Sequence, residues 1–303
     1  MRIVVALGGN ALPHLAARTG TGGRRADADR VAAALAPLAH EHDLVLTHGD
    51  GPHTGPHSDA GTEPQQYPLH LLGAQAQGLA GSVLARTLHD ALPGQPVAVL
   101  VTHTLVRADD TAFARPSRPV GPLLSRDTAK TLARDRGWYI ARDTGGWRRV
   151  VPAPQPRRIV ESDTIHQLLH SGVLVICAGG GGVPVLADRR TGALSAVDAV
   201  VDKDLTAALL AEELKADFLL ILTDVPHVYQ GYGTPDPTPL LDATPAELRR
   251  GDFPARSMGP KTEAAARFVE RTGGLAAIGA LDAAYDIVHG RSGTLVRPDL
   301  TGA

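Results

Sequence analysis

The sequence is poor in the features that mark exported, membrane-bound or nucleic-acid-binding proteins. Its one cysteine, Cys177, cannot form an intramolecular disulfide, and its place in an apolar run predicts a packed thiol rather than a nucleophile. No apolar stretch approaches the ~20 residues of a membrane-spanning helix. A formal net charge of −2 without a basic run argues against nucleic acid as the main partner. Because the chain opens on an apolar strand instead of a signal segment, we expect a cytoplasmic protein.

Two widespread nucleotide-binding patterns are missing as well. The chain has no G-x-x-x-x-G-K-[ST] sequence, which excludes a P-loop nucleoside triphosphatase. It also lacks a G-x-G-x-x-G sequence followed by an acidic residue ~20 positions later, which disfavours a dinucleotide-binding fold. Histidines are numerous but do not form a helical pair or a cysteine-containing pattern, so the sequence predicts no metal ligands.

What the sequence does have is three apolar strands that each end in a glycine turn. The strands and their turns are Arg2–Leu7 with Gly8-Gly9-Asn10, Leu44–Thr47 with His48-Gly49-Asp50-Gly51, and Val173–Cys177 with Gly179–Gly182. Backbone N–H groups exposed at such turns let an anion approach closely. Because the carboxyl ends of parallel strands meet at one edge of a sheet, the three turns predict a single phosphate-binding cleft.

Lysine is scarce beside arginine, with 4 Lys against 26 Arg. In such a background, a remaining lysine indicates a position where a guanidinium cannot replace the compact ammonium group. Lys203 and Lys261 follow turns rich in carboxylates, glycine or proline, at predicted helix starts. Lys130 and Lys215 lie in ordinary amphipathic stretches. We therefore expect Lys203 and Lys261 to belong to the site.

Strand and helix patterns alternate along the chain, which predicts an α/β fold: a three-layer αβα sandwich around an open, mostly parallel sheet. The helix predictions include Ala26–His40, Leu69–Ala91, Leu205–Ala216 and Lys261–Arg271. Thr244 to Glu247 has the pattern of a capping box. Residues 107–158, dense in Pro, Arg and Trp, predict a small protruding subdomain inserted in a single domain of residues 1–303. Residues 53–68 predict a polar loop.

The motifs occur in a specific order along nearly the whole chain. They are Val4–Ala11, His48–Pro52, Arg118–Pro122, Gly146–Pro152, Gly179–Pro184, Val201–Asp204, Leu222–Val225, Gly233–Asp236, Met258–Lys261 and Glu263–Ala265. In this order they resemble the carbamate kinases, a branch of the amino acid kinase superfamily. A glycine turn is generic, whereas a Gly-Trp-Arg-Arg-Val-Val-Pro segment within an insertion separates the carbamate kinases from the other branches.

The resemblance implies an enzyme that interconverts ADP plus carbamoyl phosphate with ATP plus carbamate. Mg²⁺ would accompany the ATP or ADP. The resemblance also implies the amino acid kinase type of fold, with an open sheet of about eight strands, and a homodimer. Residues 107–158 would then form a lid over the acceptor site.

The same resemblance, together with the demands of phosphoryl transfer, assigns catalytic roles. Gly8, Gly9 and Asn10 would hold the moving phosphoryl group with backbone donors. Lys203 and Lys261 would supply positive charge. Asp204 would orient the two lysines, as would Asp202, although both carboxylates also fit the cap of the following helix.

The remaining candidates divide between the acceptor and the nucleotide. On the acceptor side are Gly49, Asp50, Gly51 and His53, with Gly180, Gly181 and Gly182 at the shared phosphoryl position. Arg118 also lies on this side, and we count it among the catalytic residues. On the nucleotide side are Asp202, Thr223, Asp224, Tyr229, Met258 and Gly259. An aromatic residue such as Tyr229 fits a core position equally well.

Four positions depart from the pattern of the similar sequences. Asp50 and His53 stand where the family usually has Asn and Gln, Arg118 stands where it has Lys, and Gly145 stands where other members have Arg. Asp50 matters most, because an Asn amide can donate a hydrogen bond to a carbamate oxygen and an ionised Asp cannot. In a dry cleft, a carboxylate would also repel a bound carbamate.

The sequence therefore leaves three functions open. In the first, Asp50 points away or is protonated, and the protein is a working carbamate kinase. In the second, the same apparatus phosphorylates a different small acceptor, whose N–H donors or cationic group pair with Asp50. In the third, the chain binds nucleotide or carbamoyl phosphate without turnover. The retained Lys203 and Lys261 argue against the third.

Overall fold

The computed structural model of the chain describes residues 1–9, 21–49 and 68–299, along which strands and helices alternate as predicted. The strands are β1 (Arg2–Leu7), β2 (Asp43–His48), β3 (Val97–Val99), β4 (His103–Leu105), β5 (Arg118–Leu124), β6 (Tyr139–Asp143), β7 (Gly146–Val151), β8 (Arg158–Ile159), β9 (Leu174–Ile176), β10 (Val183–Ala187), β11 (Leu194–Ala196), β12 (Phe218–Thr223), β13 (Val228–Gln230), β14 (Thr238–Leu240), β15 (Asp242–Ala243), β16 (Leu275–Ala280) and β17 (Thr294–Val296). The helices are α1 (Thr21–Glu41), α2 (Leu69–Ala91), α3 (Arg126–Arg136), α4 (Ser162–His170), α5 (Lys203–Glu213), α6 (Pro245–Arg250), α7 (Met258–Thr272) and α8 (Ala284–Val288). Within the described ranges, no helix is both long and apolar enough to cross a membrane.

Eight strands form the central sheet, in the order β15-β17-β16-β12-β1-β2-β9-β3. All neighbouring strands are parallel except β16 and β17, which are antiparallel. β1 lies inside the sheet with residues 3–7 fully buried. Strands that are covered on both faces have continuous apolar sequences rather than alternating ones. The observed sheet confirms the predicted open, mostly parallel architecture.

Helices cover both faces of this sheet. One apolar core packs the strands against α1, α2 and α8, with Leu35, Leu84 and Ile287 among its fully or almost fully buried side chains. The other packs them against α4, α5, α6 and α7, and includes Ile165 and Phe268. The two cores give the three layers that the alternation of strands and helices predicts.

Helix α2 has the predicted bounds, whereas α1 starts at Thr21, five residues earlier than predicted. Helix α5 begins at Lys203, two residues before the predicted start. The cause is Asp202, whose Oδ1 accepts hydrogen bonds from the N–H groups of Asp204 at 2.9 Å and Leu205 at 3.2 Å. This N-cap places Lys203 at the first position of the helix.

Helix α7 begins at Met258, three residues earlier than predicted, so Lys261 lies in its first turn. The preceding helix, α6, has the predicted capping box. Glu247 N donates to Thr244 Oγ1 at 3.3 Å, and Thr244 N donates to Glu247 Oε2 at 2.8 Å.

Between β4 and β8 the chain forms a separate three-stranded antiparallel sheet, in the order β5-β7-β6, with α3 packed beside it. Helix α3 starts after Ser125, whose Oγ accepts from Thr128 N at 3.1 Å, and ends at Gly137 in the left-handed conformation. A four-stranded sheet, β11-β10-β4-β8, joins both ends of this segment to the body of the protein. We refer to β5, β6, β7 and α3 together as the protruding sheet.

The strand order also fixes where a ligand can enter. β1 has β2 on one side and β12 on the other. After β1 the chain continues to β2, whereas after β12 it continues in the opposite direction, to β16. Helical connections therefore diverge at the carboxyl ends of β1 and β12. In open α/β sheets such a switch point is the usual position of a ligand-binding crevice.

Candidate active site

A cavity of about 460 Å³ opens at this switch point. Thirteen of the predicted site residues line it: Gly8, Gly9, Gly49, Arg118, Gly180, Asp202, Lys203, Asp204, Thr223, Asp224, Tyr229, Met258 and Lys261. The fold thus brings the described parts of all three glycine turns, and both selected lysines, to one place.

Three charged side chains, Lys203, Asp204 and Lys261, form what we call the lysine–aspartate cluster. Lys203 Nζ donates to Asp204 Oδ1 at 2.6 Å, and Lys261 Nζ donates to Asp204 Oδ2 at 2.9 Å. Asp204 is only 4% exposed and Lys261 only 8%. One buried carboxylate therefore holds two ammonium groups, which leaves a surplus of positive charge in the cavity wall.

The titration behaviour of the cluster follows from this arrangement. Burial raises the pKa of the Asp204 carboxyl, but the two adjacent ammonium groups outweigh burial and bring that pKa to about 2. The pKa of Lys203 is lowered, chiefly by burial, while Asp204 pulls it upward and the like charge of Lys261 lowers it further. Asp204 is thus ionised, and an incoming anion would stabilise the charged form of Lys203.

Both lysines lie at helix N-termini, which reinforces the preference for an anion. Lys203 opens α5 and Lys261 is in the first turn of α7. The N–H groups and the macrodipole at a helix N-terminus attract anions and repel cations. Two cations at such positions are therefore unfavourable in the empty protein and favourable around a phosphate.

Asp202 and Asp204 have different roles, although the sequence allowed both to be caps. Asp202 is the cap of α5, and its Oδ2 lies 3.6 Å from Arg118 Nη1 at the start of β5. Asp204 is inside the helix and bridges the two lysines instead. The structure therefore supports the organising role that was predicted for Asp204.

The first two glycine turns meet beside the cluster. A Cβ atom on Gly49 would lie 3.0 Å from Gly9 N and 3.4 Å from Lys203 Cε, so a larger residue would push the two turns apart by a few tenths of an ångström. Gly8 N–H donates to Leu222 O at 2.7 Å. The prediction that Gly8 donates to the phosphoryl group is therefore wrong, because its N–H is used between β1 and β12. Of these two glycines, only Gly9 keeps the predicted donor role.

Of the third turn, Gly180 lines the cavity and Gly181 and Gly182 do not. The latter two have φ angles of +93° and +80°. A Cβ atom would lie 2.3 Å from Val201 O at Gly181 and 2.3 Å from Thr104 Oγ1 at Gly182. These two glycines shape the turn behind the cavity, so their contact with substrate stays a prediction.

His48, at the end of β2, supports the glycine turns behind the cavity, a role that the sequence analysis missed. Its ring is buried against Gly179, where an added Cβ would lie 2.4 Å from His48 Cε1. Its Nδ1 lies 3.2 Å from Gly49 O. Burial, with a contribution from Lys203, lowers the pKa of His48 to about 4, so the imidazole is neutral. The ring thus joins the second and third turns, and the only signal for it was its place before Gly49.

The predicted nucleotide side forms another part of the cavity wall. Thr223, at the end of β12, donates through Oγ1 to Asp224 Oδ1 at 3.0 Å. Tyr229 is only partly buried and lies near Tyr232, with ring centroids 6.2 Å apart. Both tyrosines and Met258 line the cavity. Tyr229 therefore faces the cavity, which favours the ligand-binding alternative over a core position.

Comparison with known proteins agrees with this geometry. The model of the amino acid kinase family matches residues 1–278. The carbamate kinase of Rhizobium meliloti is 42% identical over 301 residues, which cover 98% of this chain and 93% of that protein. The carbamate kinase of Thermococcus kodakarensis is 43% identical, over 97% of this chain and 98% of that protein. The chain belongs to the carbamate kinases of the amino acid kinase family.

Solved carbamate kinase structures have the same fold. The Giardia lamblia carbamate kinase bound to AMP-PNP matches with a TM-score of 0.87 and 36% identity, over 98% of each chain. An N-acetylglutamate synthase from Neisseria gonorrhoeae matches with a TM-score of 0.60 at 15% identity and shares the fold alone. The predicted family and fold class are confirmed.

One stretch of the cavity wall of this carbamate kinase family member was not predicted. It is the segment before α7, from which Phe253, Pro254, Arg256 and Ser257 line the cavity. Gly259 was predicted there and does not line it; its N–H donates to Pro254 O at 3.0 Å. The only sequence signal was that this segment precedes the turn containing Lys261.

Four predicted site residues, Asn10, Asp50, Gly51 and His53, lie outside the described residues, as does most of the predicted 53–68 loop. Among the residues that the structure describes, no group of three or more His, Cys, Asp and Glu side chains is arranged to hold a metal ion. Cys177 is buried, and burial raises the pKa of its thiol, as expected of a packed cysteine.

Proposed function

We propose that the protein is a carbamate kinase, which transfers a phosphoryl group between carbamoyl phosphate and ADP to give carbamate and ATP. The lysine–aspartate cluster carries this proposal. Phosphoryl transfer needs little covalent chemistry from the protein, and depends on positioning and on positive charge around the phosphoryl oxygens. Two buried ammonium groups on one carboxylate, at two helix N-termini, meet that requirement.

Each part of the site has a distinct task in this proposal. Lys203 and Lys261 stabilise the charge on the phosphoryl oxygens in the transition state. Asp204 fixes both ammonium groups through its two oxygens and leaves them with net positive charge. Gly9 N–H contributes a backbone donor at the end of β1, and the same task is expected of Asn10. Preorganised donors of this kind need no rearrangement during the reaction.

The nucleotide binds along Thr223, Asp224, Tyr229 and Met258 in this proposal. Mg²⁺ binds mainly through substrate phosphates and one or two carboxylates, and it neutralises charge on the phosphates. Among the described cavity carboxylates, Asp202 caps α5 and Asp204 bridges the lysines. Asp224 has no ion pair within 4 Å among the described residues, so it is the carboxylate available to the nucleotide-bound metal.

The acceptor binds on the side of Gly49 and Arg118, under the protruding sheet. Arg118, Pro119 and Val120 of β5 line the cavity, so this sheet is positioned to act as the lid of residues 107–158. Asp50, Gly51 and His53 complete the acceptor pocket in this proposal. We further expect a homodimer, as the resemblance implies, and a cytoplasmic location, as the sequence composition indicates.

The test is formation of ATP from ADP and carbamoyl phosphate with Mg²⁺, comparing the wild type with Lys203→Ala. Turnover that falls by at least about 100-fold in the variant is the expected result, since one charge that stabilises the transition state is removed. Lys130→Ala is the matched control, because Lys130 is an exposed lysine of α3. No turnover by a wild type that still binds ADP in calorimetry would contradict the proposal, and would direct the search for another acceptor to Asp50, His53 and Arg118.

A further inference from the structure

An ion pair joins the cavity wall to the protruding sheet. Arg256, in the segment before α7, places Nη1 3.2 Å from Oδ1 of Asp143, the last residue of β6. Arg256 lines the cavity, as do residues of β5 from the protruding sheet. The pair therefore connects the body of the protein with the proposed lid, beside the place where the ligands bind.

Asp143 has other partners besides Arg256. Its Oδ1 accepts a hydrogen bond from Thr144 N at 2.8 Å, and its Oδ2 lies 3.2 Å from Arg148 Nε. The side chains of Asp143 and Arg148 are 19% and 17% exposed, whereas that of Arg256 is 65% exposed. If Arg256 moved away, Asp143 would still contact Arg148 and accept the hydrogen bond from Thr144 N, so no buried charge would be left unpaired.

Arg256 also differs from the other cations of the cavity wall. Lys203, Lys261 and Arg118 each contact a carboxylate that itself lines the cavity. The carboxylate that holds Arg256 is Asp143, which does not line it. An arginine with an exposed side chain and an outlying partner can turn its planar pair of N–H donors toward a phosphate, whose geometry it matches.

We propose that Arg256 binds a phosphate oxyanion of the nucleotide and exchanges its ion pair with Asp143 for that ligand. The inference rests on the proposed function. Arg256 is assigned to the nucleotide because it is two residues from Met258, which lies on the proposed nucleotide side.

The experiment measures KM for ADP, KM for carbamoyl phosphate and kcat in the full chain, for the wild type and three variants. Arg256→Ala is expected to raise KM for ADP about tenfold, or about 1.4 kcal/mol, with kcat within about threefold of the wild type. Arg256→Lys should recover part of the loss, because it keeps the charge without the planar fork. Asp143→Asn releases Arg256 from its ion pair, and should leave KM for ADP unchanged or lower it.

Three results would overturn the inference. If Asp143→Asn raises KM for ADP as much as Arg256→Ala does, the ion pair has a structural role and Arg256 does not bind the nucleotide. If only KM for carbamoyl phosphate rises, Arg256 serves the acceptor. If Arg256→Ala binds ADP as tightly as the wild type in calorimetry, it makes no nucleotide contact. Calorimetry measures ADP binding without turnover. A wild type that binds ADP but makes no ATP would therefore contradict only the proposed function. Weaker ADP binding by Arg256→Ala would still support this inference in that case.

Discussion

Helices α5, α6 and α7 carry two charged clusters of opposite character. At the N-terminal ends of α5 and α7, the lysine–aspartate cluster holds two ammonium groups on one carboxylate, with side chains at most 13% exposed. On the outer faces of α6 and α7, a second cluster contains Arg249, Glu263, Arg267 and Glu270, with side chains 32–42% exposed. We call it the arginine–glutamate network, and in it two guanidinium groups balance two carboxylates.

Burial and charge balance decide what each cluster does. Two unit charges 4 Å apart interact by about 1 kcal/mol in water and about 4 kcal/mol at the effective dielectric of a protein surface region. Surplus charge in a buried wall therefore favours the binding of an anion, although it destabilises the empty protein. A balanced and hydrated network attracts no ligand and contributes little to stability. Ion pairs of similar length thus belong to the proposed binding site in one place and to a solvated surface in the other.

Loss of the shared carboxylate should have the largest effect. In Asp204→Asn two buried ammonium groups lose their counter-ion, and removing one side of a buried pair costs about 3–5 kcal/mol. We expect a decrease of that size in the free energy of unfolding, measured by denaturant titration. We also expect kcat for ATP formation to fall at least about 100-fold, because the lysines lose their fixed positions.

Lys261→Met is the matched comparison for that variant, since it leaves Lys203 and Asp204 as a balanced pair. It should lose activity to a similar degree, yet its free energy of unfolding should fall by less than that of Asp204→Asn. If the two variants were equally stable, the surplus charge would have no energetic consequence, and the distinction between the two clusters would fail.

The pH dependence of stability should distinguish the wild type from Asp204→Asn more finely. The pKa of Asp204 is about 2 in the folded protein and about 3.9 in an unfolded chain. Its contribution to stability is therefore present above pH ~4, and is lost as the pH falls through ~2. The difference in free energy of unfolding between wild type and Asp204→Asn should narrow across this window. A difference that stays constant would mean that Asp204 is not held ionised by the lysines.

Much of the buried cluster was predictable from the sequence, for identifiable reasons. Lysine scarcity selected Lys203 and Lys261, and strands that end in glycine turns predicted the cleft where they meet. Continuous apolar strands with intervening helices indicated the parallel sheet and its three layers. Each of these signals is local, and each depends on a backbone or charge requirement that few other residue types satisfy.

The parts that were missed depend on which distant residues come into contact. The ring of His48 lies against Gly179, and Arg256 reaches Asp143 across 113 positions of sequence. The donor role of Gly8 failed for a related reason, because β12 takes up its N–H group. No periodicity or spacing within one segment specifies such pairings, since they are set by the order of strands in the sheet.

The arginine–glutamate network should show the smallest effect. Glu270→Gln removes one exposed carboxylate, while Arg249 keeps Glu263 at 3.2 Å. We expect the free energy of unfolding to change by less than about 0.5 kcal/mol, with kcat and KM unchanged. The change should shrink further as salt is raised, because the screening length falls from ~10 Å at 0.1 M to ~3 Å at 1 M. A decrease of several kcal/mol in the free energy of unfolding, or a change in kcat, would show that this network is coupled to the proposed site at the other end of α7. Exposure would then not explain the difference between the two clusters.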